Sequence, residues 1–194
     1  MHNKIPRIDV SAYNLWYLLL LGCVHNVSSA LHPAGLPLSY QQLGHGLFCA
    51  FVLLVVGLEW RQKGELLAVP AALLSAGLFM LLTDVHERYL FPALAFLLLG
   101  AVGWDGHPRD PASKRPGLWS AYSVLSLTFL FNLVTIAPFT PALGTNLVAI
   151  QPPYSARDLV LKALSLLAAA ANTLVLAWLV TKLAREPANS HGNQ

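Results

Sequence analysis

Four consecutive residues, His86, Glu87, Arg88 and Tyr89, carry the side chains of this sequence that are best suited to chemistry. They lie between two apolar runs, and ionisable groups at the end of a membrane-length segment are costly unless they have partners or reach the membrane surface. The forked guanidinium of Arg88 matches phosphate oxygens, and His86 and Glu87 can hydrogen-bond sugar hydroxyls. We therefore expect these residues either to anchor the chain at a membrane surface or to form part of a ligand site.

The connection between the two apolar runs is short. Only seven residues separate Leu82 from Leu90, so we expect an antiparallel helical hairpin with its tip at a membrane surface. Pro92 has no N–H and is favoured in the first turn of a helix, which predicts a helix that begins near Leu90. His86, Glu87 and Arg88 would then lie at a helix N-terminus, where free N–H groups and the helix dipole favour an anion such as a phosphate.

Two other interpretations of the same residues stay open. In the first, Arg88 reaches lipid headgroups, pairs with Asp84 one turn away, and Tyr89 joins the aromatic belt of the membrane. In the second, His86 and Glu87 hold a divalent cation together with Asp84, although a His and two carboxylates form an incomplete ligand set. We predict no metal site, and a divalent cation is kept as an alternative.

Three further polar residues interrupt the apolar segments. His45 and Asn132 lie near helix ends on the same side as the hairpin and are candidates for the same site. Either residue alone is more typical of helix packing than of ligand binding. Asn172 lies deeper, beside a run of four alanines, and is expected to hold helices together.

Composition places these residues in a membrane. The chain has 194 residues, of which 56% are hydrophobic and 11% charged, with a mean hydropathy of +0.57, values typical of an integral membrane protein. The basic residues are spread between apolar segments, so we expect membrane lipids and not nucleic acid as partners. Five apolar segments are clear: Leu43–Leu58, Leu66–Leu82, Leu90–Trp104, Leu118–Ala137 and Leu159–Val180.

A sixth segment, Tyr13–Val27, is weaker because its fully apolar part is shorter than the ~20 residues that cross a bilayer. The sequence thus predicts an all-α, polytopic helical bundle with five or six transmembrane helices. Residues 1–186 should form a single transmembrane domain, and residues 187–194 a disordered tail.

Positive charge predicts the orientation of the bundle. Lys and Arg are concentrated in alternate connections and in the tail, which marks that side as cytoplasmic: Arg61, Lys63, Arg109, Lys114, Arg115, Lys182 and Arg185. With six spans both termini are cytoplasmic, and with five the N-terminus lies outside. In either case the His86 hairpin faces outward, as in a protein of the bacterial plasma membrane.

The hairpin also carries a family resemblance. The sequence TDVHERYLFPAL at residues 83–94 resembles a segment found late in many prokaryotic GT-C-type integral membrane glycosyltransferases, which include mannosyltransferase-like proteins related to those of GPI-anchor assembly. Two stretches that agree in order are YNLW at residues 13–16 and LSYQQLG at residues 38–44. Asn132, in TFLFNL, is similar to an Asn often seen after this hairpin.

The resemblance implies transfer of a hexose, with mannose as a candidate, from a polyprenyl-phosphate donor on the extracytoplasmic face. By the same resemblance, Arg88 would contact the donor phosphate, and His86 and Glu87 would lie near the sugar or phosphate. The substrate-binding set is therefore predicted to draw on seven residues: Asp84, His86, Glu87, Arg88, Tyr89, His45 and Asn132.

The chain departs from this family in its acidic residues. Enzymes of the family carry a catalytic acidic pair in an early outer loop, whereas this sequence has no two adjacent acidic residues, and its catalytic residues are unassigned. One hypothesis is that the chain is the C-terminal half of such an enzyme, either as a fragment or as a subunit beside an N-terminal-half partner. A second is a non-catalytic membrane protein that binds lipid phosphate or a partner glycosyltransferase. A small transporter is a third, less favoured because no charge lies deep in the predicted spans.

Overall fold

The computed structural model describes residues 13–21, 30–33, 36–62, 67–83, 85–105, 117–136 and 156–185. These residues form an all-α fold with six α-helices, which are α1 (Leu15–Leu19), α2 (Tyr40–Gln62), α3 (Ala68–Leu81), α4 (Phe91–Asp105), α5 (Gly117–Ile136) and α6 (Ala156–Arg185). A short 3₁₀ helix, Glu87–Leu90, precedes α4 directly. The predicted all-α class is confirmed, and each of the five clear apolar segments coincides with one of the helices α2 to α6.

Three of the helices are long and apolar enough to cross a membrane: Tyr40–Arg61, Gly117–Thr135 and Leu159–Arg185. The helices α3 and α4 have 14 and 15 residues. At about 1.5 Å per residue each is roughly 21–23 Å long, which is less than the ~30 Å of a bilayer core. The coarse prediction of possible membrane helices is therefore confirmed, while a count of five or six spans stays a prediction.

The weak first segment begins with a very short helix. α1 has five residues, Leu20 caps its C-terminus, and Leu21 has a φ of 49°, in the left-handed region that ends helices. Residues 22–27 of this segment lie outside the described part of the chain. The described portion packs against α3 and α6. It is held there by Tyr13, Trp16 and Tyr17, all of which are buried.

Close contacts at glycines show that α2 and α3 are antiparallel. A Cβ added at Gly44, near the start of α2, would lie 3.0 Å from the carbonyl oxygen of Leu81 at the end of α3. Further along α2, the ring of Phe51 packs directly on Gly77 of α3. Both glycines are needed for close approach, because a larger side chain would meet backbone in one case and an aromatic ring in the other.

The remaining helices continue the same up-and-down pattern. Gly100, near the end of α4, faces Val69 at the start of α3. The rings of Phe91 in α4 and Phe129 in α5 are 6.4 Å apart, and Trp178 of α6 packs on Gly117 at the start of α5. The hairpin, the N-termini of α2 and α6, and the C-terminus of α5 therefore share one end of the bundle.

The main core of the bundle is apolar and so is much of its exterior. Leu73, Phe79, Leu97 and Leu179 are fully buried in the main core. On the outside, α2 exposes Leu53, Leu54, Val56 and Trp60, the last with 85% of its surface accessible. An apolar outer face is typical of helices that contact lipid. In lipid, the backbone hydrogen bonds form within each helix, and apolar side chains do not need water.

Candidate functional site

The hairpin has an extended part followed by a helical part. After α3 ends at Leu81, the backbone of Leu82 is extended, and His86 is extended again as the N-cap of the 3₁₀ helix. The Tyr89 N–H donates to the His86 carbonyl at 3.0 Å, and Pro92 is the second residue of α4. The prediction that a helix begins near Leu90 with Pro92 in its first turn is confirmed. His86, Glu87 and Arg88 therefore lie at the N-terminal end of a helical segment.

Buried side chains on both sides orient the hairpin. Val85 and Leu90 are buried in the core, whereas Arg88 and Tyr89 are exposed and His86 and Glu87 are half-buried. The Arg88 guanidinium carbon lies 6.0 Å from the centroid of the Tyr89 ring, within range of a cation–π contact. The two apolar residues hold the turn against the bundle, so that the polar residues between them face outward at its end.

The Tyr-Asn-Leu-Trp stretch is bonded to the base of this hairpin. Trp16 Nε1–H donates to the carbonyl of Leu81 at 2.8 Å, and Asn14 Nδ2–H donates to the carbonyl of Leu82 at 3.4 Å. Asn14 Oδ1 also accepts from the Tyr17 N–H at 3.1 Å and so caps α1. The last carbonyls of a helix have no hydrogen-bond partners within it. The side chains of Trp16 and Asn14 provide such partners at the point where α3 ends.

A second set of hydrogen bonds holds the same stretch to α5 and α6. Asn172 Nδ2–H donates to the Tyr13 carbonyl at 3.1 Å, and its Oδ1 accepts from Thr128 Oγ1–H at 2.5 Å. The Tyr13 hydroxyl lies 2.7 Å from Thr135 Oγ1. The predicted role of Asn172 in holding helices together is confirmed.

Asn132 is placed differently from the other asparagines. It is 1% exposed, on a helix that contacts the 3₁₀ helix of the hairpin, and Phe129 one turn earlier faces Phe91. Within the part of the chain that the structure describes, neither its Nδ2 nor its Oδ1 has a hydrogen-bond partner. The same holds for Oγ1 of Thr83, which is 6% exposed at the start of the hairpin.

The two remaining residues of the predicted site are His45 and Asp84. His45 is exposed, and its Nδ1 lies 2.7 Å from the carbonyl oxygen of Gln41 within the same helix. Asp84 lies outside the described residues, so the expected pairing with Arg88 and the expected contribution to a cation site cannot be placed. Among residues that are described, no group of three His, Cys, Asp or Glu side chains comes together as a metal site would require.

Two features of this end of the bundle had no assignment from the sequence. Thr83 is the first residue of the hairpin, and the position of its hydroxyl directly after an apolar run is the one feature of the sequence that could have indicated a polar site there. The pairing of Asn14 and Trp16 with the end of α3 joins residues that are 65 and 68 positions apart. The residue types Asn and Trp do not by themselves indicate such partners, because these hydrogen bonds depend on how the helices pack.

Comparison of the chain with protein-family models, with curated proteins and with solved structures gave no match. The class that the structure itself defines is an all-α protein with three helices of membrane-spanning length and apolarity. The family resemblance of the hairpin stays a prediction that rests on the residues quoted for it.

Proposed function

We propose that this chain is the hairpin-bearing part of an integral membrane glycosyltransferase, as a fragment or as one subunit. It would act on a hexose, with mannose as a candidate, that is carried on a polyprenyl phosphate at the outer face of a bacterial plasma membrane. The observation that carries the proposal is the exposed Arg88 beside half-buried His86 and Glu87 at the N-terminal end of α4. The resemblance of residues 83–94 to membrane glycosyltransferases supplies the substrate class.

The electrostatics of the hairpin suit the leaving group of this reaction. When an acceptor hydroxyl attacks the anomeric carbon, the bond from that carbon to the phosphate oxygen breaks and the polyprenyl phosphate leaves with an additional negative charge. A guanidinium beside a helix N-terminus stabilises that charge as it develops. Arg88 would take this role, with His86 and Glu87 near the sugar or phosphate, and the base that accepts the hydroxyl proton is unassigned.

The distribution of charge supports the outward orientation of the site. Arg61, Lys182 and Arg185 lie at the C-terminal ends of α2 and α6, which are at the end of the bundle opposite the hairpin. The segments that join α2 to α3 and α4 to α5 start and finish at that same end, and their sequences contain Lys63, Arg109, Lys114 and Arg115. By the positive-inside rule that end is cytoplasmic. Six spans with both termini inside, or five with the N-terminus outside, are both compatible with this orientation.

A direct test is the binding of polyprenyl-phosphate mannose to the purified chain in detergent, compared between Arg88→Gln and Arg61→Gln. Both arginines are exposed, but they lie at opposite ends of the bundle. Loss of a charge-assisted hydrogen bond is worth roughly 1.5–3 kcal/mol, so Arg88→Gln should weaken binding by about tenfold or more and Arg61→Gln should not. Equal effects of the two substitutions, or no binding by the unmodified chain, would contradict the proposal.

A non-catalytic protein that binds the same lipid is the second candidate. It is favoured by one observation, the absence of any adjacent pair of acidic residues from the sequence. The two candidates differ in what accompanies the native chain and in whether sugar is transferred. An enzyme subunit should co-purify with a second membrane protein that carries an acidic pair, and the two together should transfer sugar. Transfer by this chain alone would exclude the non-catalytic candidate.

A further inference from the structure

The three buried asparagines of the described chain differ in how their amides are satisfied. Asn14, Asn172 and Asn132 are 0%, 2% and 1% exposed. Both polar atoms of Asn14 and of Asn172 take part in hydrogen bonds. Those of Asn132 have no partner in the described residues. Among the residues that the structure describes, four have such unpaired buried atoms, and Asn132 is the one of these in which two atoms are affected: Glu59, Thr83, Ser126 and Asn132.

An amide buried in this way is unfavourable for the folded chain on its own. A buried donor or acceptor without a partner loses its hydrogen bonds to water and gains nothing in return. A leucine at position 132 would have a similar size and would avoid this cost. A hydrogen-bond partner for this amide must therefore come from a group other than the described side chains.

The position of Asn132 indicates what that partner is. It lies in the last turns of α5, at the end of the bundle that holds the hairpin, and α5 contacts the 3₁₀ helix that carries Arg88. Thr83, at the start of the hairpin, has a buried hydroxyl at this end that is also unpaired among the described residues. The chemistry of an amide, with two N–H donors and a carbonyl acceptor, is complementary to hydroxyl groups, which both donate and accept. A phosphate without protons only accepts and is served better by Arg88.

We propose that Asn132 binds a hydroxyl group of the sugar carried by the lipid, and that it distinguishes a sugar-bearing lipid from the bare lipid phosphate. This inference rests on the proposed function and divides its site into two parts. Arg88 binds the phosphate that both lipids share, and Asn132 binds the sugar that only one of them has. This division predicts different effects of substituting the two residues. Loss of Arg88 should weaken the binding of both lipids, whereas loss of Asn132 should weaken the binding of the sugar-bearing lipid alone.

The test compares affinities for polyprenyl phosphate with those for polyprenyl-phosphate mannose, glucose and galactose, using the purified chain in detergent. We expect at least one sugar-bearing lipid to bind about tenfold more tightly than the bare lipid. Asn132→Leu should bring that ratio close to one and leave the affinity for polyprenyl phosphate unchanged. The same substitution should leave the thermal unfolding midpoint unchanged or raise it, because it removes an unpaired amide.

Asn172→Leu is the matched control. Its amide is fully paired, so the substitution should lower the unfolding midpoint while the affinity ratio, measured below that midpoint, is kept. An unaltered ratio in Asn132→Leu would overturn the inference and leave the amide as a site for bound water. A fall in the midpoint as large as that of Asn172→Leu would also overturn it, because the amide would then be structural.

The outcome for the unmodified chain separates this inference from the proposed function. If the chain binds polyprenyl phosphate but no sugar-bearing lipid more tightly, the inference about Asn132 is wrong and lipid-phosphate binding stands. If it binds none of the four lipids, both the proposed function and the inference are wrong.

Discussion

At the scale of single residues, α2 contains two glycines that stand two positions apart and have different surroundings. A Cβ at Gly44 would lie 3.0 Å from the Leu81 carbonyl oxygen and 3.4 Å from the Thr83 nitrogen. A Cβ at Gly46 would meet nothing within 4 Å. Gly44 therefore allows α2 to approach the backbone at the base of the hairpin, whereas Gly46 has no such role.

This difference predicts opposite effects of the same substitution on stability. Gly44→Ala should lower the free energy of unfolding by about 1–3 kcal/mol, because the new methyl group forces apart two backbones that have no flexible side chain between them. Gly46→Ala should leave it unchanged or raise it by up to about 1 kcal/mol through helix propensity. Thermal unfolding of both variants in the same detergent measures the difference. Equal stability of the two variants would contradict the close contact between α2 and the end of α3.

Residue types alone indicate some of these roles and conceal others. The polar character of Asn172 among alanines predicted a packing role, and its hydrogen bonds to Tyr13 and Thr128 confirm that role. Asn132 has the same side chain, yet its amide is unpaired among the described residues. The sequence could not distinguish the two asparagines, because the presence of a partner depends on which helix faces each one.

At the scale of helices and connections, α1 positions the hairpin although it is only five residues long. Trp16 and Asn14 donate hydrogen bonds to the two carbonyls at which α3 ends. Those carbonyls immediately precede residues 83–90, so the direction in which the chain leaves α3 depends on them. We infer that α1 holds the base of the hairpin in place.

Loss of the hydrogen bond from the Trp16 indole should destabilise the end of α3 and the base of the hairpin. Trp16→Phe removes the donor to Leu81, leaves that carbonyl without this partner, and should lower the free energy of unfolding by about 1–3 kcal/mol. Hydrogen exchange of the amides in residues 85–90 should become faster, because local opening at the end of α3 becomes less costly. Trp60→Phe is the control, because Trp60 is 85% exposed on α2, and it should change stability by less than about 0.5 kcal/mol. Faster exchange restricted to α1 would show that the hairpin does not depend on it.

The helices α2 to α6 were largely predictable from the sequence, whereas the length of α1 was not. Apolar runs and Pro92 predicted α2 to α6 and the short connection before α4, because apolar length and proline act locally in the sequence. The five-residue extent of α1 was not predictable, since the apolar run continues beyond Leu19 and nothing in its residue types requires the helix to end there. The left-handed backbone of Leu21, at a φ of 49°, is likewise unexpected for a leucine.

At the scale of the whole molecule, polar and charged groups divide between the two ends of the bundle. One end holds the hairpin with Arg88, the buried Asn14 and Asn132, and the N-termini of α2 and α6, with Lys162 in the second turn of α6. The other holds Arg61, Lys182 and Arg185 on exposed helix ends. From Arg61 onward, the sequence has seven Lys and Arg residues on this second side and three on the hairpin side, namely Arg88, Arg157 and Lys162. Such an excess, with an apolar exterior between the two ends, predicts the orientation of the chain in a membrane. The proposed reaction of a lipid-linked sugar at the outer face depends on that orientation.

Labelling of single cysteines in intact cells tests the orientation. In a chain carrying Cys23→Ser and Cys49→Ser, Tyr89→Cys should react with a membrane-impermeant maleimide added outside, because Tyr89 is exposed at the hairpin end. Ala184→Cys, exposed near the C-terminus of α6, should react only after the membrane is permeabilised, and it leaves every positive charge in place. The reverse pattern would put the hairpin on the cytoplasmic side and exclude the proposed outer-face reaction. Reaction of both cysteines in intact cells would contradict the odd number of membrane crossings expected between residues 89 and 184.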